Sequence, residues 1–223
     1  MYRTYRIAMI SGTYHTDGSP HPSESSAGID SILIGSRKAL RHGRFCIIGQ
    51  QLHGAYKSLE AQNESEPAWV NEYTHLITEK DEAGEERLEQ NLMWLCAELG
   101  TSLDHVCRSH FVPSSVLVQE LEDALPYWPT HLDILKAVQP DVIITYGISD
   151  VSPFWFLYEQ SEALGDSWDQ VKAGQGNWRC KTFTGEYNGR RVPVVGLPHL
   201  SRYKLSGKTH VVEWIMELVA QGH

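Results

Sequence analysis

The segment Asp141-Val142-Ile143-Ile144-Thr145-Tyr146-Gly147 constrains this chain more than any other. Its apolar residues run together without the polar alternation of a half-exposed strand. A short apolar run of β-branched residues ending in glycine marks a strand buried on both faces. Before it, Pro129–Val138 reads as a helix, with proline near its start, Leu132 and Leu135 apolar, and Gln139-Pro140 as a stop. A strand buried on both faces needs helices on either side of its sheet.

Other segments repeat the theme. Phe45–Gly49 is a second buried strand ending in glycine, Val106–Val112 a weaker one, and Tyr5–Ile10 a short apolar run of the same kind. Lys181–Tyr187 and Arg190–Leu197 flank Asn188-Gly189, a pair suited to the positive φ angles of a hairpin turn. Helices are expected over Gly28–His42, Glu85–Leu99, Ser152–Leu164 and Thr209–Leu218. In the second of these, Leu88, Leu92, Leu95 and Leu99 share a face and Gly100 stands at the C-cap. The Phe154-Trp155-Phe156 cluster reads as core. The pattern predicts a single-domain α/β protein, a three-layer sandwich with a short, mainly parallel four-stranded sheet. Residues 27–223 form that domain, and residues 1–26 an N-terminal extension or loop.

Charge limits the partners. With 19 Lys and Arg against 28 Asp and Glu, the formal charge is −9, which argues against broad, non-specific nucleic-acid binding. The charge is segregated, however. Arg190–Lys208 holds Arg190, Arg191, Arg202, Lys204 and Lys208 and no acid, whereas acids gather in Glu79–Glu89 and Glu120–Asp123. Cys46, Cys96, Cys107 and Cys180 are widely spaced and form no CxxC, so reduced, packed thiols are expected. Neither the cysteines nor the eleven histidines show metal-ligand spacing, and no metal or cofactor is implied. No apolar run reaches membrane length, and a cytoplasmic protein without membrane contact is the expectation.

In parallel sheets, ligands sit beyond the carboxyl ends of the strands. One such end, Ser206-Gly207-Lys208-Thr209, resembles the close of a phosphate-binding loop. The glycine that such a loop needs five residues before Gly207 is replaced by Arg202, whose side chain would enter the concave turn. A simpler reading makes Ser206 the cap of the last helix.

The remaining ends form a set: Ile48-Gly49-Gln50-Gln51-Leu52-His53-Gly54, Ser109-His110-Phe111, Ile144-Thr145-Tyr146-Gly147 and Leu197-Pro198-His199-Leu200-Ser201. Together with Leu135–Gly147, they resemble the uracil-DNA glycosylase superfamily. That family has a short parallel sheet flanked by helices, a first motif like G-Q-D-P-Y-H-G, and a last motif H-P-S. The likeness spans about Phe45 to Leu218.

The resemblance implies hydrolysis of the N-glycosidic bond of a modified base in nucleic acid. Gln50 or Gln51 would position the water, and His199 would stabilise the departing base. His53, Ser109 and His110 would contact the base, with His110 where the family commonly has asparagine. Ser201, Arg202 and Lys204 would hold phosphate. Gln51 stands where the best-known branch has aspartate, and an amide orients water but cannot act as a base. Leu200 replaces the proline of the last motif. Two alternatives stay open: a catalytically inactive relative that binds nucleic acid or a nucleotide, and a hydrolase of small nucleosides or nucleotides.

Overall fold

The computed structural model describes residues 29–34, 40–49, 86–113, 116, 118–164 and 169–221. The expected strand Tyr5–Ile10, the 1–26 extension, and Gln50, Gln51 and His53 lie outside the described residues. The strands are β1 (Leu33–Ile34), β2 (Phe45–Gly49), β3 (Cys107–His110), β4 (Val142–Tyr146), β5 (Asp169–Lys172), β6 (Arg179–Tyr187) and β7 (Arg190–Leu197). The helices are α1 (86–98), α2 (Trp128–Val138), α3 (Pro153–Glu159) and α4 (Thr209–Gln221).

The seven strands make one mixed sheet in the order β1-β3-β2-β4-β7-β6-β5. β3, β2, β4 and β7 are mutually parallel, whereas β1, β6 and β5 join antiparallel. The expected four-stranded sheet is therefore corrected to seven strands, with the four parallel ones at its centre. The additions escaped the hydrophobic pattern for physical reasons. β1 is two residues long, and β5 reads Asp-Gln-Val-Lys and is largely exposed, so neither carries a buried run.

Alternate residues of the central strands feed two cores. Phe45, Ile47, Val142, Ile144, Val195 and Leu197 meet Leu92 and Leu95 of α1 and Val211, Ile215 and Val219 of α4. Cys46, Ile48, Cys107, Ile143 and Val194 meet Ile134, Leu135 and Val138 of α2 and Phe154, Phe156 and Leu157 of α3. Ile143 and Ile144 are both fully buried, one on each side. Each such side chain contributes about 1.5–3 kcal/mol of transfer free energy. The sheet thus has helices on both faces.

Local signals worked where short-range chemistry decides. Gly100 takes φ 72° after α1, and the Thr101 N–H donates to the Cys96 carbonyl at 2.9 Å, closing a Schellman end. Asn188 and Gly189 take φ 53° and 69°, as the hairpin turn requires. Three expected elements are corrected. The described part of Gly28–His42 is a 3₁₀ turn, Ile29–Ser31, followed by β1. Pairing of Leu33 and Ile34 with Arg108 and Ser109 outweighs helix periodicity there. Ser152–Leu164 stops being helical at Glu159, and Leu164 bridges to Gly185. Ser206 does not cap α4, which starts at Thr209. Instead, the Lys208 N–H donates to the Leu205 carbonyl across a tight turn with Gly207 at φ 80°.

The topology also marks a crevice. From β2 the chain passes to β3 on one side, and from β4 it passes through β5 and β6 to β7 on the other. The direction of winding reverses between β2 and β4, and ligands of open α/β sheets bind outside the carboxyl ends of such a pair.

Candidate functional site

The last residues of the parallel strands form a row. His110 is in register with Gly49, Gly49 with Tyr146, and Tyr146 with Leu197. Registered neighbours in a parallel sheet share a face, and this face carries α1 and α4. Ser109, one residue back, shares register with Ile48 and belongs to the opposite face. It is fully buried, with an unpartnered hydroxyl among the described residues. The structure therefore separates Ser109 from His110, because neighbouring strand residues point to opposite sides.

Tyr146 occupies the switch point. A Cβ on Gly49 would lie 1.9 Å from the Tyr146 Cζ and Oη, so the ring lies directly over β2 and only glycine fits beneath it. The imidazole of His199 meets this ring edge to face, with centroids 5.5 Å apart. Burial pushes the Tyr146 phenol up to about 12, so it remains protonated at neutral pH. Burial, with Arg108 second, pushes His110 below the usual histidine range. Its neutral ring has a buried Nδ1 without a hydrogen-bond partner among the described residues.

His199 is oriented by its own turn. The Ser201 N–H approaches Nδ1 at 3.3 Å and the Ser201 Oγ lies 2.7 Å from it. A backbone N–H can only donate, so Nδ1 is the acceptor and the proton of a neutral ring sits on Nε2. The His199 carbonyl accepts from the Arg202 and Tyr203 N–H groups, both at 3.0 Å, which winds the segment into a turn. Leu200, Tyr203 and Leu205 of this segment are fully buried, while Arg202 and Lys204 are exposed. Leu200, at the position of the motif's proline, is thus an apolar anchor.

Two supports were missed in the sequence. Asn91 of α1 is buried, and its amide nitrogen donates to the Leu200 and Tyr203 carbonyls at 2.7 and 2.8 Å. Its oxygen accepts from the Leu205 N–H at 2.9 Å and the Ser206 N–H at 3.4 Å. One side chain therefore satisfies four backbone groups of the His199 segment. The signal was present: Asn91 interrupts the apolar stripe Leu88, Leu92, Leu95 of α1. The second support is Tyr203, whose hydroxyl donates to the Ala173 carbonyl at 2.6 Å and ties the segment to the β5–β6 connection.

The expected residues thus divide. His199 and Ser201 touch, His110 shares their edge and its face with Tyr146, and Arg202 and Lys204 are exposed to solvent. The phosphate-loop reading of Ser206–Thr209 fails, since Lys208 Nζ donates to the Gly174 carbonyl and fixes the chain ahead of α4. At the opposite, amino edge, a cavity of about 410 Å³ is lined by residues including Leu135, Gln139, Tyr187 and Arg190. Arg190 there is committed to the Gln139 carbonyl and to Asp141. Among the described residues no helix is long and apolar enough to cross a membrane. No protein-family model matches the chain, and a search of curated proteins finds no match.

Proposed function

We propose that this protein is a divergent relative of the uracil-DNA glycosylases that hydrolyses the N-glycosidic bond of an altered base in nucleic acid. The observation that carries the reading is His199, an imidazole held by Ser201 and Tyr146 at the carboxyl edge; with Nδ1 accepting from the Ser201 N–H, a neutral ring carries its proton on Nε2. Cleavage leaves negative charge on the departing base. An N–H donor fixed in place beforehand stabilises that charge without reorganising in the transition state. His110, neutral and on the same face, is suited to a base edge, since a neutral imidazole offers one donor and one acceptor. Gln50 and Gln51 follow Gly49 directly in the chain, and in this reading one of them orients the attacking water.

The test is strand cleavage at abasic sites in single- and double-stranded oligonucleotides carrying uracil or hypoxanthine. The wild type is expected to produce abasic sites. His199→Ala is expected to lose about 10²–10³-fold in rate, the cost of removing one such donor, at unchanged Tm. Absence of cleavage of every substrate by folded wild type overturns the enzymatic reading.

A second reading, a binding protein without cleavage, is favoured by Gln51 in place of a carboxylate and by the Tyr146 ring laid over Gly49. Binding without abasic product supports it.

A further inference from the structure

Cys46 and Cys107 form a thiol pair that plays no part in the cleavage reading and stands without it. They are in register on the parallel neighbours β2 and β3. Both face the core that packs on α2 and α3, and both are buried there as free thiols. The two side chains are hydrogen-bonded to each other. The other two cysteines, Cys96 and Cys180, belong to the core on the opposite face of the sheet.

A hydrogen-bonded pair differs chemically from two separate buried thiols. When the first proton leaves, the remaining S–H donates to the thiolate and stabilises it. Here the donor is Cys46, and its bond holds the Cys107 thiol below the ordinary range although burial pulls the other way. Burial pushes Cys96 up to about 11 and Cys180 up to about 12. The spacing suits a bridge. Neighbouring strands lie about 4.8 Å apart, inside the Cα separation of about 4.4–6.8 Å that a disulfide spans. Parallel Cβ vectors start somewhat farther apart than the usual Cβ separation of about 3.5–4.5 Å. Closing the bond therefore draws β2 and β3 together and leaves it readily reduced. Among the described residues β3 has only the two-residue β1 beyond it, paired with Arg108 and Ser109. A strand covered so lightly opens locally at lower cost than the sheet centre.

We propose that Cys46 and Cys107 are a reversible thiol–disulfide pair, oxidised by low-molecular-weight disulfides. The Cys107 thiolate attacks one sulfur of the reagent, forming a mixed disulfide and expelling one thiolate. The Cys46 sulfur gives up its proton and attacks the Cys107 sulfur, forming the Cys46–Cys107 bond and expelling the second thiolate. The two protein thiols lose two electrons and two protons, and the reagent leaves as two thiols.

The experiment treats the reduced, folded full chain with glutathione disulfide. The remaining thiols are then blocked with N-ethylmaleimide after unfolding, and the peptides are mapped by mass spectrometry. A Cys46–Cys107 bridge is expected, with Cys96 and Cys180 alkylated, and dithiothreitol is expected to restore all four thiols. At the high pKa of Cys96, lost thiolate outweighs gained nucleophilicity, so the pair is expected to react at least about 10-fold faster than Cys96. Cys46→Ser keeps a donor toward Cys107 but cannot close the bridge, so glutathione is expected to stay on Cys107. Absence of the bridge in the folded wild type overturns the proposal. So does a bridge through Cys96 or Cys180, modification of Cys96 as fast as the pair, or a folded Cys46→Ser variant without glutathione on Cys107. The wild-type outcomes decide the matter even where Cys46→Ser does not fold.

Discussion

The two edges of the central sheet are fastened by different chemistry. At the amino edge, Asp141 faces Arg44 at 3.5 Å and Arg190 at 3.2 Å, and all three are at least partly accessible to water. Backbone pairs such as Gly43 N–H to the Val138 carbonyl do the rest. At the carboxyl edge the loops are held from inside by buried polar side chains, Asn91 under the His199 segment and His131 under the end of β3. The first arrangement uses its cations for structure. At the second, Arg202 and Lys204 are exposed, whereas Lys208 Nζ donates to the Gly174 carbonyl.

The contrast can be broken most strongly at Asn91. Replacing it with leucine strands the Leu200 and Tyr203 carbonyls and the Leu205 and Ser206 N–H groups in the interior. An unpaired buried group costs about 1–3 kcal/mol. Asn91→Leu is expected to lose about 4 kcal/mol in urea unfolding.

His131 gives a smaller, pH-dependent effect. Its Nε2 lies 2.9 Å from the Phe111 carbonyl, to which it donates, and burial pushes its pKa from 6.5 to about 4. The unfolded chain therefore takes up a proton in that interval that the folded one refuses. The stability is whole above pH 6.5 and falls as pH drops toward 4, by about 3 kcal/mol in all. His131→Gln preserves a donor toward Phe111 without titrating. Urea midpoints at neutral and acidic pH should show the variant losing less stability than the wild type; equal losses would discount the buried imidazole.

The smallest effect belongs to the amino edge. Asp141→Asn weakens two pairs whose arginines are 54% and 42% exposed. Such pairs contribute about 1 kcal/mol or less. Thermal unfolding should shift by a few degrees at most. A larger shift would show that the pairs do more than surface ion pairs do.

Much of this was legible in the chain. β4, β2, the hairpin and α1 followed from apolar runs, Asn-Gly and a glycine stop, and the order of strand ends led to His199. What was not legible depended on partners remote in sequence. β5 has no hydrophobic signature because its place is set by pairing with β6. Ser109 and His110 were grouped because they adjoin in the chain, yet the pleat sends them to opposite faces. Tyr146 read as the tail of a buried strand, and its position over Gly49 needed the register of β2 and β4 to be known.

By itself, the sequence determined that this chain folds into a helix-covered sheet with parallel strands at its centre, since unalternating apolar strands are stable only when both faces are dry; the antiparallel strands make the whole sheet mixed. Only the tertiary structure decided which polar side chains cooperate. Asn91 and the Leu200 carbonyl are 109 residues apart, and Trp178 meets Tyr203 through another loop. Such contacts are set by how the layers dock, and local propensity has no term for them.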